Sequence, residues 1–93
     1  MIRSFFCDET ERIWRGTRSR KFPADIQDRA LRKLRQIDAA RSQDDLKNPP
    51  GNHLEALAGD RKGQLSIRVN NQGRICFEWK NGDAYQVEIA DYH

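Results

Sequence analysis

The last third of the chain alternates apolar and polar side chains with a period of two, and this pattern restricts the possible folds more than any other feature. Apolar residues occupy every second position in the ranges 65–69, 75–79 and 85–89, with mostly polar residues between them. Because successive side chains of a strand point to opposite faces of a sheet, each range is predicted to form a half-buried strand. Three such strands predict an antiparallel sheet with one apolar face.

The turn between the last two ranges sets their predicted register. A two-residue turn at Asn81-Gly82 would place Phe77 opposite Gln86, and such a one-residue mismatch of apolar faces is costly. We therefore predict a three-residue loop at 80–82 with a left-handed glycine, which pairs Phe77 with Tyr85.

The preceding hairpin is predicted to bring two arginines together. The alternation places Val69 opposite Ile75, so that Arg68 and Arg74 share the polar face as diagonal neighbours. Tyr92 has the same parity and points to this face just beyond Arg74. The opposite face is apolar and needs a cover.

A helix over residues 24–41 is predicted to provide that cover, because apolar residues recur there at spacings of four and three. Pro23 suits the start of this helix, where its missing N–H is not needed. Earlier in the chain, residues 1–7 are predicted to form a strand, and Asp8 with Glu11 a capping box for a short helix. We therefore predict an α+β domain spanning residues 1–93, with two N-terminal helical segments packed on a small antiparallel sheet.

The positive charge is concentrated in the first half of the chain. Residues 1–50 contain twelve Lys or Arg and eight Asp or Glu, whereas residues 51–93 contain five and six. The range 12–21 has no acid and is interleaved with small residues, which predicts a flexible loop. Either it contacts a phosphate backbone, or it is a solvated basic loop. The candidate contacts are Arg12, Arg15, Arg18, Arg20 and Lys21, together with Arg61 and Lys62 in a later turn.

The composition also predicts the compartment. Cys7 and Cys76 lie in apolar strand patterns, and no secretory segment precedes them, so we expect two buried thiols in a reduced, cytoplasmic protein. No apolar run approaches the ~18–20 residues of a membrane span, so no membrane contact is expected.

The last three residues, Asp91, Tyr92 and His93, place an acid, a phenol and an imidazole after a predicted strand. Together with Arg68 and Arg74 they could cleave a phosphodiester, since His or Tyr can move a proton while arginines hold the anionic phosphorus centre. A frayed tail beside surface arginines is the alternative. Strict alternation turns Asp91 and His93 away from Tyr92, so the strand must end or twist near residue 90 for the three to meet.

Other kinds of site have weaker support. No Cys/His spacing matches a zinc site, so no metal or cofactor is predicted. His53 is a lone loop histidine, for which a solvated side chain is the usual role and a catalytic one the less common alternative.

The chain resembles the HigB-type toxins of the RelE superfamily, the plasmid maintenance system killer group. The resemblance extends over nearly all 93 residues and rests on the segments Met1–Phe5, Pro49–Asn52, Leu54–Leu57, Gly63 with Ser66–Asn70, Arg74–Phe77 and Asp91–His93. It implies a RelE-like fold. It also implies a metal-independent endoribonuclease without a cofactor that cleaves mRNA in the ribosomal A site.

The same resemblance implies the partners and the site. The partner would be a HigA-type helix-turn-helix antitoxin, through which the toxin would reach operator DNA indirectly. The family arginines match Arg68 and Arg74, and the family's terminal triad matches Asp91, Tyr92 and His93. The 2′-hydroxyl would attack the adjacent phosphorus, with His93 as the proton carrier.

The chain departs from the family pattern in two places. Some relatives have a catalytic His and Lys in the segment that matches Glu55 to Ala58, where this chain has neither. The residue before Arg74 is often Trp in the family, and here it is Gly73, so a stacking or packing surface is missing. Two other functions stay open: a non-catalytic RNA- or ribosome-binding module, and a co-repressor that acts only within an operon complex.

Overall fold

A computed structural model of the protein describes residues 1–49 and 51–91, with only the backbone of Asp91. In chain order the elements are α1 (Asp8–Trp14), α2 (Ala24–Ala39), α3 (Gln43–Lys47), β1 (Glu55–Ala56), a 3-10 turn (Gly59–Arg61), β2 (Gln64–Arg68), β3 (Gly73–Lys80) and β4 (Asp83–Asp91). The strands form one antiparallel sheet in the order β1-β2-β3-β4. The predicted α+β class is confirmed.

The core lies between α2 and the apolar face of the sheet, as the alternation predicts. Leu34 and Ile37 of α2 are fully buried, and so are Ile75, Phe77 and Val87 of the sheet. The helix contacts both β3 and β4. The opposite face of the sheet carries Arg68 and Arg74, and Ser66 and Cys76 on the same face are fully buried.

The helix α3 was not predicted, although the sequence contains its signal. Ser42 and Asp45 form a capping box, in which each side chain accepts from the other residue's backbone N–H. This motif satisfies two donors that a helix start leaves unpaired. Leu46 then buries its side chain completely in the core.

The predicted first strand is wrong in its extent. Ile2 and Phe5 form only isolated parallel bridges, with Ala84 and Val87 of β4. Asp83 fixes this segment, because its carboxylate lies 3.2 Å from Arg3 Nε and 3.3 Å from the Met1 amino group.

The capping box predicted for α1 is also wrong. The N-cap is Cys7, in extended conformation and without a side-chain cap bond, and Asp8 is the first helical residue. The acidic side chains in this first turn still stabilise the helix through their interaction with the helix dipole. The fully buried Thr10 ties α1 to β4, since its Oγ1 accepts from Ile89 N at 3.0 Å. Cys7 and Cys76 are both thiols; Cys76 is buried and Cys7 partly exposed.

The β3–β4 hairpin has a two-residue turn at Asn81-Gly82, so the predicted three-residue loop is wrong. Asn81 and Gly82 have φ values of 53° and 81°, and Lys80 pairs with Asp83. The apolar faces still agree because β4 contains a bulge, at which Gln86 adopts a φ of 54°. The extra residue absorbs the mismatch from Val87 onward, so that Ile75 lies opposite Ile89. The predicted pair of Phe77 with Tyr85 is wrong, because Tyr85 precedes the bulge and lies opposite Glu78.

The β2–β3 hairpin is shifted by two residues from the prediction. Ile67, not Val69, lies opposite Ile75. Asn70 explains the longer turn, because its side-chain oxygen accepts from Gln72 N at 2.9 Å and from Gly73 N at 2.7 Å. An even shift leaves each side chain on its predicted face.

Candidate active site

The centre of the candidate site is a pair of arginines that lie directly opposite each other, Arg68 at the end of β2 and Arg74 near the start of β3. Both are on the sheet face that α2 does not cover, as predicted, although as direct partners and not as diagonal neighbours. Like charges in directly opposed positions destabilise a sheet unless they are compensated. Oxygen atoms around each guanidinium provide that compensation.

Arg74 is held by three groups. Its Nε donates to Ser66 Oγ at 2.7 Å, and its Nη2 donates to the carbonyl of His53 at 2.6 Å. The carboxylate of Glu55 on β1 lies 3.5 Å from the same Nη2. Because the Arg74 side chain is only 16% exposed, its guanidinium is fixed in place before any ligand arrives.

Arg68 is held by the turn that follows it. Its Nε donates to the carbonyl of Asn70 at 3.1 Å, and its Nη2 donates to Asn71 Oδ1. Its backbone N–H donates to the carbonyl of Asn52 at 2.6 Å. The turn and the loop around Asn52 therefore fix both ends of this arginine.

A cleft of about 300 Å³ lies over the two arginines. Its other lining residues are His53, Glu55 and the turn 70–72. Arg68 and this turn also line a neighbouring cleft of about 480 Å³, which extends to Arg29 on α2. The arginine pair therefore lies in an open groove with a basic wall, which suits an extended anion better than a small enclosed ligand.

Lys33 of α2 lines an adjoining cleft of about 380 Å³, which shares Arg29 and Gly51 with the cleft beside Arg68. Burial, with the neighbouring charge of Arg32, lowers the pKa of Lys33. The Lys33 ammonium group donates to Asn52 Oδ1.

The structure describes the terminal triad only up to the backbone of Asp91. That residue pairs with Gly73, and Ala90 pairs with Arg74, so β4 brings the chain alongside the arginine pair. The Asp91 side chain, Tyr92 and His93 lie outside the described residues. Their catalytic roles stay predictions.

The predicted contacts in the range 12–21 lie on a segment with several anchors. Arg12 pairs with Glu9, Arg15 with Glu11 and Arg18 with Asp28, at 3.2, 2.7 and 3.9 Å. The buried backbone of Ser19 exchanges hydrogen bonds with the Gln27 amide of α2. Arg20 is exposed, and the Lys21 ammonium lies 5.5 Å from the centre of the Phe22 ring.

The two later basic candidates differ from each other. Arg61 Nη1 lies 2.6 Å from Glu88 Oε1 and donates to Gln64 Oε1 at 3.1 Å, so its guanidinium is joined to the sheet. Lys62 is exposed. Of the two, Lys62 is the better placed to meet a polyanion.

Gly73 faces α2 and not the cleft. A Cβ atom on this residue would lie 2.8 Å from Ile26 Cδ1, closer than such atoms approach. A larger residue here therefore requires the end of the Ile26 side chain to move.

Three residues at the site were not predicted to belong to it. Ser66 and Asn52 are fully buried and bond the arginines, and Glu55 pairs with one of them. Glu55 stands on a strand of two residues, too short for any alternation to show. Ser66 occupies a polar position of β2 on the face predicted for Arg74. This shared face is the signal in the sequence that could have assigned Ser66 to the site.

The fold is shared with chains of known toxin–antitoxin complexes. A chain of the YoeB–YefM complex from Staphylococcus aureus superposes with a TM-score of 0.62, covering 100% of this chain and 98% of that one, at 15% identity. A second structure, of the heterotetrameric YoeB–YefM toxin–antitoxin complex from the same organism, gives the same values.

Sequence comparison gives the family. The model of the HigB-like toxins, RelE-like toxins of type II toxin–antitoxin systems, matches residues 3–93. Toxin HigB-1 of Vibrio cholerae serotype O1 is 48% identical over 72 residues, which are 77% of this chain and 76% of the relative. Endoribonuclease HigB of Proteus vulgaris is 37% identical over 93 residues, the full length of both. The chain therefore belongs to the HigB family of RelE-like type II toxins.

Across the described residues, no helix has both the length and the apolar character needed to cross a membrane.

Proposed function

We propose that this toxin is an endoribonuclease that cleaves mRNA on the ribosome. The observation that carries the proposal is the directly opposed pair Arg68 and Arg74, fixed at the base of an open groove. Two guanidinium groups can share the oxygens of one phosphate and stabilise the extra charge that builds during attack. The name of the Proteus vulgaris relative, an endoribonuclease, supports the same reaction.

The proposed chemistry is an internal transfer. The 2′-oxygen loses its proton to a base and bonds to the adjacent phosphorus. The bond from phosphorus to the 5′-oxygen then breaks, and that oxygen takes up a proton. The products are a 2′,3′-cyclic phosphate and a 5′-hydroxyl. The positive charge comes from the arginines, so no step requires a metal ion.

The terminal triad would move the protons. His93 is proposed as the proton carrier, because a histidine imidazole, whose ordinary pKa is ~6.5, can both take and give a proton at neutral pH. Asp91 would orient it, and Tyr92 would stack on a base or share the transfer. This assignment is supported by the pairing of the Asp91 backbone with Gly73, one residue from Arg74.

We further propose a tight complex with a HigA-type helix-turn-helix antitoxin, which would connect the toxin to operator DNA. Membership of a type II family and the fold shared with a chain of the YoeB–YefM complexes support an antitoxin partner. Copurification from the two-gene operon, followed by light scattering, tests it. Elution of the toxin as an unbound monomer at nanomolar concentration contradicts it.

One experiment tests the reaction and the triad together. A defined mRNA on programmed ribosomes is incubated with wild-type toxin or with His93→Ala, and the new ends are analysed chemically. We expect a 5′-hydroxyl with wild type and no cleavage with a folded His93→Ala. A 5′-phosphate excludes the internal transfer, and full activity of the variant excludes His93. Ribosome binding by the wild type without any cleavage leaves the non-catalytic binding module as the function.

A further inference from the structure

Asn52 is a fully buried amide at the junction of α2, α3 and the sheet. Its Nδ2 donates to Gln36 Oε1 of α2 at 2.9 Å and to the carbonyl of Leu46 in α3 at 3.0 Å. Its Oδ1 accepts from Lys33 Nζ. Every polar atom of this amide is satisfied, and a buried amide is costly to leave unpaired, so its orientation is fixed.

The main chain of the same loop reaches both arginines. The carbonyl of Asn52 accepts from the backbone N–H of Arg68 at 2.6 Å, and the carbonyl of His53 accepts from Arg74 Nη2 at 2.6 Å. The Asn52 carbonyl therefore holds Arg68 through the backbone of β2, and the His53 carbonyl holds Arg74 through its guanidinium. Any displacement of this loop changes the spacing between them.

His53 has a conformation that requires support. Its φ of 45° lies in the left-handed region, which residues other than glycine rarely adopt. Such conformations persist where the surrounding bonds determine them. The buried Asn52 fixes the chain on one side of His53, so the direction of the His53 carbonyl depends on the Asn52 amide.

We propose that Asn52 is a positioning residue, whose buried amide fixes the loop 51–54 so that its carbonyls set the spacing and orientation of Arg68 and Arg74. The inference rests on the proposed RNA cleavage and deepens it. Asn52 itself does not touch the RNA. Its loss is expected to slow the chemical step on the order of 10–100-fold, because small displacements of a catalytic group have effects of that size.

A matched control is available on α2. Gln27 is also a buried amide that fixes a loop: it accepts from Ser19 N at 2.9 Å and donates to the carbonyls of Ser19 and Phe22 at 2.8 and 2.7 Å. That loop does not line the cleft over the arginines. Asn52→Ala and Gln27→Ala therefore both remove a buried amide, but only the first removes one that holds the arginines.

The experiment measures thermal stability, RNA affinity and the single-turnover cleavage rate on saturated, programmed ribosomes. Wild type, Asn52→Ala, Gln27→Ala and Arg74→Ala are compared. We expect a lower Tm for both amide variants, and a slowed saturated rate for Asn52→Ala but not for Gln27→Ala. A folded Asn52→Ala with the wild-type saturated rate overturns the proposal, and so does an equal slowing in Gln27→Ala.

Two further arms separate the remaining outcomes. If Asn52→Ala does not fold, Gln36→Ala removes one acceptor of the amide and leaves Asn52 in place. A several-fold slower saturated rate is then expected, and an unchanged rate overturns the proposal. A wild-type protein that cleaves no RNA, or an undiminished Arg74→Ala, instead defeats the proposed function, on which the role of Asn52 depends.

Discussion

Arg74 is a side chain whose geometry a lysine cannot reproduce. Its guanidinium reaches Ser66 Oγ and the His53 carbonyl with different nitrogens, whereas an ammonium group is a single point of charge. If only the positive charge of Arg74 mattered, lysine could replace it. If the fixed positions of its guanidinium nitrogens matter, lysine cannot. The contacts of the side chain favour geometry.

We therefore predict that Arg74→Lys and Arg74→Ala both slow cleavage, on the order of 10²–10³-fold for alanine, the effect of removing one donor to a developing oxyanion. The measurement is the single-turnover rate on saturated ribosomes at two salt concentrations. Arg35→Ala, which removes an exposed arginine of α2, is the control and should cleave normally. If Arg74→Ala loses affinity alone, Arg74 is a docking residue.

The backbone conformation of Gln86 sets the register between β3 and the second half of β4. At the bulge it is exposed and left-handed, and its N–H donates to Ser4 Oγ at 2.9 Å. The bulge keeps both apolar faces in phase after a two-residue turn. Alternation predicts the faces of Val87 and Ile89 correctly, but it misses the bulge and therefore misplaces Tyr85, because a glutamine has no sequence signal for positive φ.

Gln86→Gly is predicted to stabilise the protein by up to about 1 kcal/mol, since glycine adopts this φ without strain, although it also gains entropy in the unfolded chain. Gln86→Val is predicted to destabilise it, because β-branched residues tolerate this region poorly. Urea denaturation of both variants measures the difference. Equal stability of the glycine and valine variants would mean that the left-handed conformation costs nothing.

The loop between α1 and α2 is an element whose charge should act on binding and not on chemistry. Neutralising Arg15, Arg18, Arg20 and Lys21 together is predicted to lower ribosome affinity and flatten its salt dependence, since each lost phosphate contact removes roughly 0.7–0.9 from the log–log slope. The pairing of Arg15 and Arg18 with acids makes the loss smaller than four full contacts. An unchanged slope in a titration from low to moderate salt would exclude the loop from the interface.

At the scale of the whole molecule, Asp83 at the start of β4 joins the last strand to the segment that contains Met1 and Arg3. Burial alone would raise the pKa of this carboxyl, but hydrogen bonds and charges from the Met1 amino group and Arg3 together lower the pKa below its ordinary value of 3.8. A carboxyl with a lowered folded pKa stabilises the fold above its unfolded pKa. That stabilisation is lost as pH falls through the folded pKa.

Asp83→Asn is therefore predicted to be less stable than wild type at neutral pH. The difference in free energy of unfolding should shrink below about pH 3.8 and vanish once the folded carboxyl is protonated. Denaturant titrations of the two proteins between pH 7 and pH 2.5 measure this. A difference that does not change with pH would mean that Asp83 acts by packing and not by charge.

The sequence was a good guide where periodicity decides and a poor one where single side chains decide. The faces of β2 and β3, the burial of Leu34 and the common face of Arg68 and Arg74 all follow from alternation or helical spacing. Their direct pairing does not, because it depends on Asn70 capping a longer turn. The hydrogen bond from Arg74 to the His53 carbonyl could not be predicted either, because every residue has a backbone carbonyl and the sequence gives no sign of which one is used.

The parallel bridges of Ile2 and Phe5 with β4 have a consequence for synthesis. Ile2 and Phe5 find their partners only in Ala84 and Val87, so these bridges cannot form while residues 83–87 are still to be made. Arg74 likewise needs Ala90 beside it for its strand pairing. A chain that stops before β4 therefore has the residues that line the groove but lacks the strand that supports Arg74 from its other side.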